Sequence, residues 1–252
     1  MKALQKVIQG NYATLNSLEV ALGVTLTVTQ MAPFMSIWVY HLIGSLREAK
    51  RSGHTPVSAE LKRTIHQWLR AYSSLKDWQP LCPPVTKTLW NSSTVLGTML
   101  LSEDGTSPPE LVVYTIHPSS CTRLKCPREQ VQQLLHTTAH GRTFLEAMGL
   151  LSAIVMHSNL IRDQHFKCVS STPRLTAALH VGRLNDCRRT SPLLEAIRFT
   201  LIELNALPDW ETGKLRDPPL GKSQDLPLPI YNWWRRGRGD LVAALQGHLS
   251  SQ

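Results

Sequence analysis

With 252 residues, the chain is long enough to bury a core of its own and to form one or two domains. Its hydrophobic share of 42% is that of an ordinary globular protein, no uncharged apolar run reaches the roughly 18 residues of a spanning helix, and residues 1–6 lack the apolar stretch of a signal peptide, so no membrane partner is expected. Lys and Arg number 27 against 18 Asp and Glu, and the net charge of +9 favours an anionic partner, nucleic acid ahead of a membrane surface. The five cysteines (82, 121, 126, 168 and 187) are odd in number and sparse, which argues against a disulfide framework and for an intracellular, reducing compartment, nuclear or cytoplasmic.

Residues 12–30 read as a helix with Leu15, Leu18, Leu22 and Leu26 on one face, weakened toward its end by the threonines and valine of residues 25–29. Pro33 interrupts the pattern. Residues 34–51 form a second helix with Phe34, Ile37 or Trp38, His41 or Leu42, and Leu46 facing inward. Residues 52–56 (Ser-Gly-His-Thr-Pro) make a turn, and Ser58 is placed to cap a third helix whose stripe is Leu61, Ile65, Trp68, Leu69 and Tyr72. Pro80, Pro83 and Pro84 then mark a boundary between a helical subdomain, 1–80, and a second domain, 85–252.

From Val85 the pattern changes to short stretches rich in Val, Thr, Leu and Tyr. Residues 86–90, 94–101 and 110–117 read as three antiparallel strands separated by turn residues. Residues 142–159 read as a helix: Phe144, Met148, Leu151 and Val155 recur at helical spacing, Leu145 and Ile154 widen the stripe, Glu146 is the one carboxylate in its first turns, and Asn159 is a stop. Residues 165–171 follow as a short strand ending in the hydroxyls of Ser170 and Ser171. Pro173 opens a short helix to about Val181, and Ser191-Pro192 opens another with Leu194, Ile197, Leu201 and Leu204 on one face. Residues 208–229, rich in Pro, Gly and charge, read as a long loop, with 213–216 a poor candidate for a fifth strand, and a last helix covers 240–249. The expected fold is layered α/β: a mixed sheet with flanking helices, the 165–170 strand parallel to the first strand because the helix between supplies the crossover, preceded by the helical subdomain.

Several stretches carry a family resemblance in their order and spacing. They are the Leu-Gly helix of residues 14–23, Pro33 with the helix of 34–46, the helix of 58–69 ending Gln67-Trp68-Leu69, the run Asn91-Ser92-Ser93-Thr94-Val95-Leu96-Gly97, then Phe144-Leu145-Glu146, Ser191-Pro192-Leu193-Leu194, and Arg238-Gly239-Asp240-Leu241. Together they resemble the ribonuclease H fold, and within it the connection and RNase H region of reverse transcriptases from DIRS-type, tyrosine-recombinase retrotransposons. The Asn91 run looks like the first-strand Asp-Ala-Ser motif, Phe144-Leu145-Glu146 resembles the catalytic-glutamate helix, Ser191–Leu194 is similar to the segment after the second catalytic aspartate, and Asp240 lies in a match to the terminal Ala-Asp-x-Leu motif. On this resemblance the polymerase palm and fingers are missing, and the chain is a reverse-transcriptase tail standing alone.

The resemblance implies a site of about four carboxylates around two magnesium ions, which activate water and stabilise the leaving oxygen. On the matched positions the first aspartate is Asn91, the glutamate is Glu146, the second aspartate falls at Ser170 or Ser171, and the last is Asp240. An amide and a hydroxyl do not offset two divalent charges, and Asp104, Asp163 and Asp186 lie in expected loops. The site therefore reads as inactive, with Glu146 and Asp240 as remnants and no cofactor; magnesium enters only if a rearranged acidic set supports an active ribonuclease H. The bland alternative for Glu146 is a solvated helix carboxylate.

Three further features carry chemistry. Cys121, Cys126, His136 and His140 have zinc-ligand types, with a Cys-to-His spacing shorter than usual, against a plain reading as loop thiols and surface imidazoles. Trp233, Trp234, Arg235, Arg236 and Arg238 combine stacking surfaces with guanidiniums, as single-stranded nucleic acid requires, or else are a core-packed tryptophan pair beside a basic turn. Arg183, Arg188 and Arg189 occupy the loop where an RNase H fold meets its duplex, suited to phosphate contact. A serine hydrolase has little support, since Gly-x-Ser-x-Gly is absent and Ser170 or Ser171 has no predictable base. The leading expectation is a catalytically inactive RNase H-like module that binds nucleic acid (RNA, DNA or hybrid) or scaffolds a larger protein or ribonucleoprotein assembly. The alternatives are an active ribonuclease H, cleaving an RNA–DNA hybrid, and a protein-interaction module.

Overall fold

The computed structural model describes residues 2–31, 38–74, 94–101, 110–126, 128–137, 140–181, 190–213, 221–236 and 240–251. Two compact units divide the chain, one of Met1–Leu81 with Val181–Arg183, the other of Cys82–His180 with Leu184–Gln252. The expected strand 86–90 and the positions Asn91, Arg183, Arg188, Arg189 and Arg238 lie outside the described residues. No helix among the described residues is long and apolar enough to cross a membrane.

The first unit is helical. Helices α1 (Lys2–Gln9), α2 (Leu15–Met31), α3 (Val39–Ser52) and α4 (Ala59–Ser74) surround a core that includes Leu4, Leu18, Trp38, Leu42, Leu61, Ile65 and Trp68. Ser58 accepts the Leu61 amide at 3.1 Å as the expected cap. Gly53 ends α3 in the left-handed region (φ 79°), its amide bonded to the Ala49 carbonyl at 2.7 Å, a conformation a side chain would disfavour. Residues 12–14 and 54–56, expected as the start of a helix and as a turn, pair instead as two short antiparallel strands, β1 (Tyr12–Thr14) and β2 (His54–Pro56). The buried face of α2 runs through Leu18, Ala21 and Thr25, and Leu26, expected inward, is exposed. The small residues, rather than the leucine row, set the close face.

The second unit is built on a six-stranded mixed sheet. Its strands are β3 (Val95–Leu101), β4 (Glu110–Ile116), β5 (Ser120–Lys125), β6 (His165–Ser170), β7 (Leu207–Thr212) and β8 (Lys222–Asp225), in the spatial order β7-β6-β3-β4-β5-β8. β3, β4 and β5 form an antiparallel meander, whereas β6 is parallel to β3, β7 to β6 and β8 to β5. The apolar runs Val-Leu-Gly-Thr-Met-Leu-Leu and Leu-Val-Val-Tyr-Thr bury both faces, as central strands do. Between β5 and β6 lie α5 (Arg128–Thr137), α6 (Gly141–Met156) and the single turn α7 (Ser158–Ile161); α8 (Pro173–Val181) and α9 (Ser191–Glu203) separate β6 from β7, and α10 (Leu228–Arg236) and α11 (Leu241–Ser250) close the chain.

The structure differs from expectation at two places in this sheet and at one helix end. The third antiparallel strand among the described residues is Ser120–Lys125, unforeseen because only Leu124 in it is buried. The region expected as a loop from residue 208 holds most of β7, in which Trp210 alone is buried, and all of β8, whose four residues are exposed. Pro208, Asp209 and Glu211 hide the strand signal, yet a terminal strand tolerates proline and charge because one edge needs no partner. The helix from Gly141 ends at Met156, short of Asn159.

α6 is the pivot of the layers. From Thr143 to Val155 every residue is buried, so the helix is an internal element packed on β3, β4, α5 and α9. α9 in turn packs on α11, and α11 on α10. Gly149 sets the helix-to-sheet distance: a β-carbon there would collide with Thr98 Oγ1 and stand 2.7 Å from Leu111 Cδ1. Gly149→Val is expected to lower the unfolding free energy by about 2–3 kcal/mol through overpacking of a site with no room to relax. Urea unfolding of the variant measures this, and an unchanged midpoint would show that α6 does not approach the sheet this closely.

Candidate functional site

The candidate site forms where α6, the end of β6 and the start of α8 converge. Apart from Arg142, which is exposed, Glu146 is the only charged residue of α6, and it is 0% exposed in an otherwise apolar or neutral helix. The chain passes from β5 through α6 and returns as β6 parallel to β3, and Ser170 at the end of β6 meets the first turns of the helix.

The Glu146 carboxylate is saturated by the chain. Ser170 Oγ donates to Oε2 at 2.6 Å, the Thr172 amide donates to the same oxygen at 3.0 Å, and Ser171 Oγ donates to Oε1. The Thr172 amide also reaches Ser170 Oγ at 3.2 Å. Thr172 precedes Pro173 and its carbonyl accepts the Leu175 and Thr176 amides, so the carboxylate sits against the first turn of α8, where the helix dipole favours negative charge. A carboxylate taken from water needs such donors; three of them, two from hydroxyls, allow this charge to be buried. Glu146 is thus not the solvated helix carboxylate of the bland reading.

The register supplies a residue that sequence reasoning missed. The β3 residue beside Ser170 is Thr98, seven positions beyond Asn91. Thr98 is fully buried with its Oγ1 unpartnered, as is that of Thr172. The signal was present: Thr98 is the only polar side chain in the run 95–101, and Ser170-Ser171-Thr172 places three hydroxyls in a row before a helix-starting proline. Tyr114, on the other sheet face, lies across Gly97, and its hydroxyl pKa is pushed up to about 12, first by burial and then by the nearby Cys168 and Glu146.

The other expected residues do not join this cluster. Asp240 is exposed and caps α11, accepting the Val242 and Ala243 amides at 3.0 and 3.3 Å. Trp233 and Trp234 are half-buried against Phe144, with ring centroids 6.4 and 6.5 Å away, so the pair covers the start of α6, while Arg235 beside it is exposed. Cys121 lies in β5 and Cys126 just after it; burial raises both thiols, Cys126 to about 12, which disfavours the thiolate that zinc needs. His140 precedes α6 with a buried, unpartnered Nδ1, and the side chain of His136 lies outside the described residues. Among the described residues no three His, Cys, Asp or Glu side chains gather as a metal-holding group.

The two-magnesium site implied by the resemblance does not fit these residues. Among the described residues one carboxylate is present there, its oxygens accept three hydrogen bonds from protein donors, and the neighbouring strand ends offer hydroxyls. Nor is Ser170 arranged as a nucleophile: it is 3% exposed, its partner is a carboxylate, and its proton is held in that bond. No protein-family model matches the chain, and neither does any curated protein or solved structure.

Removing donors from a buried carboxylate should be costly, and removing the whole cluster much less so. Ser170→Ala with Ser171→Ala is expected to destabilise the chain by about 2–6 kcal/mol, at roughly 1–3 kcal/mol for each of the two lost bonds. Adding Glu146→Met should recover most of that loss. Denaturant titration of the double and triple variants tests the pair of outcomes; a double variant as stable as the parent would mean that the hydroxyls do not hold Glu146.

Proposed function

We propose that the chain is a catalytically inactive ribonuclease H-like module, related to the reverse transcriptase of a retroelement, that binds nucleic acid or holds a place in a larger assembly. Support for the fold part comes from the strand relations: an antiparallel meander, a crossover helix bearing a glutamate, and a strand parallel to the first of the three. The observation that carries the loss of activity is the state of Glu146, whose carboxylate is sealed and bonded to Ser170, Ser171 and the Thr172 amide. Magnesium keeps most of its water unless several anionic oxygens replace it, and one occupied carboxylate is a poor start. Support for nucleic acid comes from the net charge of +9 and the exposed Arg235. With Trp233 and Trp234 engaged by Phe144, the cations rather than stacked rings carry the binding.

The purified chain is expected to leave an RNA–DNA hybrid intact in magnesium or manganese. Divalent-dependent cleavage that Glu146→Gln abolishes would replace this reading with an active ribonuclease H.

Binding is expected to be independent of sequence and to weaken steeply with salt. Arg235→Ala, Arg236→Ala and Arg238→Ala together should lower the magnitude of the slope of log K against log salt by about 2–3, close to one unit per lost phosphate contact. Filter binding between low and physiological salt measures it. A parent chain that binds no nucleic acid even at low salt would favour a protein-interaction module.

A further inference from the structure

Arg198 is a second buried group that carries charge, and unlike Glu146 it has no hydrogen-bond partner at its Nε among the described residues. It lies on α9, is 8% exposed, and holds its guanidinium carbon 5.5 Å from the ring centroid of Trp210, itself 8% exposed, in the edge strand β7. Its Nε is sealed from solvent with no acceptor, and among the described residues no carboxylate forms an ion pair with it. Glu195, one turn earlier and also buried, forms no ion pair with Arg198 and has an interaction of its own. On the strand side, His180 Nε2 meets the Trp210 carbonyl at 3.1 Å, which ties α8 to β7 at this residue. Burial lowers the Arg198 pKa to about 10, so the group remains a cation at neutral pH.

An indole attracts a guanidinium, but it accepts no hydrogen bond in the guanidinium plane, where the five N–H groups point. Taking the charge from water is costly, and the attraction of one ring offsets only part of that. A planar, partly desolvated fork with an unfilled N–H edge matches the two oxygens of a phosphate or a carboxylate. β7 is the terminal strand of the sheet, and both Arg198 and Trp210 keep a small exposed part, so the pair lies toward the border of the core.

We propose that Arg198 and Trp210 form an oxyanion-binding site, in which a phosphate or carboxylate group accepts hydrogen bonds from the free edge of the guanidinium while the indole holds that edge in place. The site involves neither the Glu146 cluster nor the basic turn after Trp234.

The test uses the full chain without nucleic acid or divalent ions, so its failure leaves the nuclease-like reading untouched. Thermal unfolding and tryptophan emission are followed while sodium phosphate, and separately sodium acetate, replaces sodium chloride at constant ionic strength. A saturable rise in Tm with one of them is expected, and the anion that produces it identifies the ligand chemistry as phosphate or carboxylate. Arg198→Met, which fills the same volume without charge, should lose the response by at least tenfold in apparent affinity and melt no lower than the parent in chloride alone. If that variant does not fold, Arg198→Lys decides: it keeps the charge without the fork, and its response should be weaker than the parent's. A parent indifferent to both anions, a response that survives Arg198→Met, or unchanged affinity in Arg198→Lys would each overturn the site.

Discussion

A buried carboxylate must be answered by donors, and in the second unit that demand fixes where three elements meet. Glu146 projects from a helix that is buried from Thr143 to Val155, and its partners come from the last residue of β6, the residue after it, and the amide that begins α8. Each bond constrains a different segment: the helix cannot rotate, the strand end cannot fray, and the chain must turn at Thr172. Apolar packing alone would tolerate small slides of α6 along the sheet; a charge with three directed bonds does not.

The same helix explains why residues suited to recognition became residues of packing. Its close approach at Gly149 draws Thr98 and Leu111 against it from the sheet, while Phe144 at its start is covered by Trp233 and Trp234. An aromatic pair beside arginines has the composition of a stacking platform. Here the rings pack against the core, and Arg235 beside them is exposed. Trp210 under Arg198 is a comparable case, an indole whose burial is shared with a cation.

The elements that write their burial into sequence were the legible ones. β3, β4, α6 and α9 have continuous apolar runs or wide stripes, and their existence and type follow from the residues alone. β5, β7 and β8 do not: they are short, each has at most one buried residue, and they carry Pro, Lys, Arg, Asp or Glu. At the site, the type of each matched residue was readable, so Glu146 and the two serines stood out, but their mutual bonds were not. The neighbour of Ser170 depends on strand register, which turns on a shift of single residues, and this is why Thr98 went unnoticed beside the more motif-like Asn91. Asp240 shows the converse limit: a single acidic residue before an apolar helix is as good a cap as a ligand, and the two bonds it accepts from α11 are those of a cap.

Closing the corner with serines also changes what the fold's stability is coupled to. Where clustered acids are held together by divalent ions, their mutual repulsion makes the folded state a function of free cation concentration, through the same mass action that links any ligand to stability. The bonds around Glu146 come from two hydroxyls and an amide of the same chain. The stability that this corner contributes therefore comes from the chain's own donors, with no term in free cation concentration among the bonds described.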